Sequence, residues 1–135
     1  MGDIVEFLRQ RLTTDEADAL AASPGPWTMG GEGEVLAVDG ITVAEGFALS
    51  GRQLRATVDH IARHDPARVL RDVAAMRAIL DEIVPLMDGM DDQIDSEFRI
   101  SSDPPTPYAS ERLLRILAAI WADHPDFDPA WAVTE

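Results

Sequence analysis

The sequence predicts an α+β fold. It reads as a mainly helical single domain over residues 1–135, with a small antiparallel β-hairpin or three-stranded meander near the N-terminus. Three observations carry this expectation. Apolar residues recur at helical spacing along most of the chain. Asp39-Gly40 stands between two short runs rich in β-branched residues. The chain has 135 residues, 46% of them hydrophobic, which suffices for one core. A chain this long buries roughly 70% of the surface its unfolded form exposes.

The elements follow in order. Asp3 and Glu6 have capping-box spacing, and Ile4, Val5, Leu8 and Leu12 continue at helical intervals. Thr13 and Glu16 repeat that spacing, which predicts a second short helix to about Ala22, burying Ala17, Leu20 and Ala21. Ser23-Pro24-Gly25-Pro26 ends it. Val35–Val38 and Ile41–Ala44 flank Asp39-Gly40, so a two-residue loop would set Val38 opposite Ile41 and Leu36 opposite Val43. Trp27-Thr28-Met29 supplies a third strand through the glycine-rich turn at 30–33.

Ser50 and Gln53 form another capping box ahead of a helix with Leu54, Val58 and Ile61 on its apolar face. Asp65-Pro66 then marks a break, with Asp65 as N-cap and Pro66 as the first helical residue. A long helix follows to about Val84, with Val69, Leu70, Val73, Leu80 and Val84 on one face. Residues 85–107 hold four prolines and a run of acids, and they read as a long acidic loop with one helical turn near Asp91–Glu97. Pro107 opens the last helix, and Phe127 and Trp131 anchor the tail.

Charge sharpens the picture. The formal net charge is -14, and all 11 basic residues are Arg. Residues 51–80 carry six Arg against three Asp, between two strongly acidic stretches. Such acidity argues against direct binding of nucleic acid or an anionic membrane. No Cys is present, which excludes disulfides, thiolate metal sites and cysteine catalysis. No targeting signal and no apolar run of spanning length is visible, so the expected location is the cytoplasm.

Few residues carry chemistry. His60 and His64, four apart, stand side by side on one helix. With His124, inside Asp123-His124-Pro125-Asp126, they could form a three-His zinc site or a hydrolase centre. The glutamate of the zinc-protease pattern is missing, because Ile61 follows His60. The favoured expectation is structural: the imidazoles bond to Asp65, Asp123 or Asp126 and clasp the tail. Arg77 falls within an apolar stripe and calls for a carboxylate partner, with Asp123 or Asp126 expected. Asp88, Asp91, Asp92, Asp95 and Glu97 could mimic nucleic acid, but they lack the alternation and central Gly of a calcium loop. No dinucleotide fingerprint, phosphate-binding Lys or nucleophile elbow occurs.

His60-Ile61-Ala62-Arg63-His64-Asp65-Pro66-Ala67-Arg68-Val69-Leu70 closely resembles the signature of a family of small uncharacterised proteins of actinobacteria and their phages. Val5–Arg9, Gly25-Pro26-Trp27, Arg77 with Ile79-Leu80, and Leu114-Arg115 leading to Ala122–Phe127 and Trp131 match as well. Residues 85–111 depart from the pattern. The resemblance implies no activity; it implies a phage or mobile-element setting. The sequence therefore favours a non-enzymatic accessory or protein-interaction protein without a cofactor. A metalloprotein or hydrolase built on the three His, with zinc, is the rival, and an acidic nucleic-acid mimic is the other.

Overall fold

In the computed structural model, which describes residues 2–46, 51–98 and 108–133, helix α1 runs unbroken over Gly2–Ala21. The second helix expected from Thr13 is absent. A capping box favours a helix start but cannot stop a helix already under way, and neither Gly nor Pro occurs between Asp3 and Ser23. The continuous phase buries Ile4, Leu8, Leu12 and Ala19, and it leaves Ala17, Leu20 and Ala21 exposed. The chain forms two compact units, residues 1–12 with 75–135 and residues 13–74.

The unit of residues 13–74 contains the sheet. Strands β1 (Thr28–Met29), β2 (Glu34–Leu36) and β3 (Thr42–Glu45) form an antiparallel meander in that order, which confirms the α+β class. The hairpin at Asp39-Gly40 exists, but its loop has three residues, not two. The Gly40 N–H donates to the Ala37 carbonyl and the Ala37 N–H to the Ile41 carbonyl, both at 2.9 Å. Gly40 lies at φ 82°, in the left-handed region that glycine enters without strain. Next to the loop Leu36 therefore pairs with Thr42 instead of Val43, and Val38 and Ile41 are exposed. An irregularity between Val35 and Leu36 then restores, at Val35 opposite Ala44, the register a two-residue loop would have set.

Helix α2 (Gly51–Arg63) covers this sheet. Val35, Val58 and Ala62 form the buried centre, with Trp27, Val43, Ala44, Leu54 and Ile61 packed around it. Full burial of a valine contributes roughly 1.5–3 kcal/mol, so Val35 and Val58 anchor the small sheet to its helix. Ser50, the expected cap of α2, lies outside the described residues.

Helix α3 (Pro66–Ala78) leads into a π-helical turn at Ile79–Ile83 and then α4 (Val84–Phe98). Residues 85–98 are thus helix, not the expected acidic loop; residues 99–107 and Pro107 lie outside the described residues. Pro85 does not break the helix because of the π turn before it. A proline ring collides with the carbonyl four residues back and offers no N–H to it. Here the ladder has already widened, and the Val84 N–H bonds to the Ile79 carbonyl five residues back. Helix α5 (Ala109–Ala118) packs on α4 and buries Ser110, Leu114 and Ala118. Asp91 Oδ2 accepts from the Ser110 N–H at 3.0 Å, so one α4 carboxylate serves the first turn of α5. Phe7 meets Phe127 and Trp131 at ring separations of 6.2 and 5.3 Å, as the tail anchors require. Among the described residues no helix is long and apolar enough to cross a membrane.

Candidate functional site

The strongest local construction in the chain is centred on Asp65. Pro66 fixes the first backbone angle of α3 and needs no partner for a missing N–H. Asp65, just before it, caps the helix: Oδ1 accepts from the Arg68 N–H at 2.8 Å. The second oxygen, Oδ2, accepts from the Trp27 N–H, also at 2.8 Å. Asp65 is buried, at 7% exposure, so each oxygen satisfies a backbone donor that water would otherwise have to reach. The segment carrying Trp27 approaches through the cis Gly25-Pro26 peptide. A Cβ on Gly25 would lie 2.9 Å from the Ala67 Cβ and 3.0 Å from the Asp65 Cγ. Only glycine allows this approach.

Trp27 is fixed at a second point, because its Nε1–H donates to the Ser23 carbonyl at 2.9 Å. The indole so held lines a cleft of about 370 Å³ with Asp15, Asp18 and Ala19 of α1, His64, Pro66 and Val69. The volume falls at the small end of ligand-sized pockets. His64 contributes a ring whose Nδ1 stands 2.7 Å from the His60 carbonyl. A carbonyl can only accept, so Nδ1 carries the proton, and in the neutral ring Nε2 is the acceptor.

The His60 and His64 rings stand side by side, centroids 4.3 Å apart. The expected bond from an imidazole to Asp65 is not made. Both Asp65 oxygens serve backbone donors, and His64 turns to the carbonyl of its own helix. His124 lies in the unit of residues 1–12 and 75–135. Its ring stands edge-on to Phe7 at 5.7 Å, its Nδ1 accepts from the Asp126 N–H at 3.0 Å, and its Nε2 meets the Arg11 guanidinium. Both ring nitrogens therefore face N–H groups, and His124 serves the packing of the tail on α1 instead of the expected carboxylate clasp. Among the described residues no group of three His, Asp or Glu side chains stands as metal ligands would. Asp123 and Asp126 are exposed, and Arg77 is half-buried and engaged.

Trp27, Asp15 and Asp18 were not singled out as site residues from the sequence. Trp27 was visible in the Gly25-Pro26-Trp27 match, but nothing local joins it to Asp65, 38 residues away. Asp15 and Asp18 carry no motif in the sequence, and only the fold brings them to the same cleft as Trp27.

The fold and this junction define a small acidic α+β protein built on a capped proline break and a locked tryptophan. The chain belongs to a family of unknown function (DUF6221), whose model matches residues 1–133. No curated protein and no solved structure matches it.

Proposed function

We propose that this protein is a non-catalytic interaction protein that takes up a basic, amphipathic segment of another protein on α4. The observation that carries this reading is an exposed apolar row. Leu86, Met90 and Ile94 recur every four residues on one helix face, at 60, 55 and 53% exposure, and Ile83 one turn earlier is 43% exposed. Exposed apolar side chains are ordinary when scattered, but a row of them on one helix is the pattern of a docking face.

Charge selects the partner. Residues 84–98 contain Asp88, Asp91, Asp92, Asp95 and Glu97 and no basic residue. An apolar row beside carboxylates suits a helix with Leu or Met on one side and Arg or Lys at its margins. A second copy of this chain would bring the same acidic run, with no basic residue, against itself, so self-association through this helix is disfavoured.

The test is direct titration with a synthetic basic amphipathic 15-residue Leu/Lys peptide, followed by fluorescence anisotropy. Binding should weaken with added salt, and Met90→Ser or Leu86→Ser should reduce affinity about tenfold or more, as for an anchor residue of an interface. An affinity that neither salt nor these substitutions change overturns the reading. So does a dimeric solution mass that Met90→Ser abolishes, which would assign the row to a second copy.

A further inference from the structure

We propose that His60 and His64 together chelate one divalent transition ion, with copper(II) preferred. The site is this pair without His124, and it stands apart from the α4 face. The two residues are four apart at the C-terminal end of α2, and both are exposed. Their ring centroids are 4.3 Å apart and their planes are tilted by 37°. His64 is already oriented as a ligand. Its Nδ1–H donates to the His60 carbonyl at 2.7 Å, which fixes the tautomer and leaves the lone pair on Nε2. A backbone carbonyl on the other ring nitrogen is the support that metal-bound imidazoles ordinarily have. Two imidazole nitrogens on one ion, each at about 2.0 Å from it, stand roughly 3 Å apart. Rings this close need only a turn of the exposed His60 ring to reach that separation.

The surroundings tolerate a cation. Helix α2 ends at Arg63, so the carbonyls of its last turn place partial negative charge at the pair. Arg63 itself is bound to Asp59 at 3.1 Å, which offsets its charge. The ligand count then selects the ion. Among the described residues no third His, Asp or Glu joins the two rings, so water completes the coordination. Calcium and magnesium take oxygen donors, and zinc in protein sites takes three or four protein ligands. Copper(II) binds nitrogen donors most strongly of the divalent first-row ions, and its tetragonal plane accepts two neighbouring imidazoles. An ion held there ties together the last turn of α2, directly before the Asp65-Pro66 break. It binds only the ordered helix and therefore stabilises the native chain.

The experiment is a titration of the untagged full chain with copper(II) near neutral pH, with glycine as competing chelator, read by calorimetry and by NMR of the imidazole ring protons. One equivalent should bind, broaden the His60 and His64 ring signals before those of His124, and raise the melting temperature. This readout on the wild-type chain needs no variant. Both rings are exposed, so His60→Ala and His64→Ala should fold, and each should weaken copper(II) binding about tenfold or more by reducing a chelate to a single ligand. Zinc(II) should bind about tenfold or more weakly than copper(II). Copper(II) that broadens the His124 ring first, or that both variants bind as tightly as the wild-type chain, overturns the proposal. Zinc(II) bound as tightly as copper(II) also overturns it, because that requires further protein ligands. None of these outcomes bears on the α4 face, which Met90→Ser probes separately.

Discussion

Pro66 and Pro85 lie in the same helical stretch of the chain and have opposite effects. Before Pro66 stands Asp65, whose side chain caps the next helix, so α2 ends and α3 begins anew. Before Pro85 stands Val84, a buried side chain with nothing to offer a free N–H. There the helix continues and the backbone absorbs the ring through a π turn at Ile79–Ile83. A proline therefore does not by itself set a helix boundary. The residue before it decides, according to whether it can satisfy the N–H groups that a new helix start exposes. Apolar burial just before Pro85, through Leu80 and Val84, also favours keeping one helix.

The comparison can be broken most severely at Asp65. Asp65→Ala should cost about 3 kcal/mol in urea unfolding. Loss of an N-cap costs roughly 1 kcal/mol, and leaving the Trp27 N–H buried without a partner adds roughly 1–3 kcal/mol. A loss no larger than that of an ordinary cap would show that the Trp27 bond contributes nothing. Gly25→Ala comes next, at about 2 kcal/mol, because the added methyl overpacks the Ala67–Asp65 contact. Thermal melting of the variant checks this, and an unchanged midpoint would mean that the approach at Gly25 is loose. Pro85→Ala should have the smallest effect, less than about 1 kcal/mol. The usual penalty of an interior proline, roughly 3 kcal/mol, is already relieved by the π turn. A large gain in stability would mean that the π turn relieves little.

The contrast also explains what could be read from the sequence. Asp65-Pro66 was legible because cap and proline are neighbours and their chemistry is local. The three-stranded meander was legible too, since Asp39-Gly40 and the alternating runs lie within a few residues of each other. Its loop length was not, because a glycine in the left-handed region ends a three-residue loop as readily as it sits in a two-residue one. Pro85 and the acidic run read as breakers, so the sequence predicts a loop where α4 stands, and the π turn that accommodates the proline has no sequence signature of its own. The site lies at the far end of this scale. Trp27 with Asp65 and His124 with Arg11 are contacts of distant segments. The His were conspicuous by residue type, but their partners are a backbone carbonyl, a backbone N–H and an arginine, which no spacing rule announces.

Native-state hydrogen exchange at the Trp27 and Arg68 amides tests most directly whether one buried carboxylate joins the tryptophan segment to the start of α3. Both amides should be strongly protected in the wild-type chain, and both should lose protection together in Asp65→Ala while the Val58 amide in the middle of α2 stays slow. A Trp27 amide that exchanges as fast as an open loop in the wild-type protein, or that stays protected in Asp65→Ala, would contradict the account.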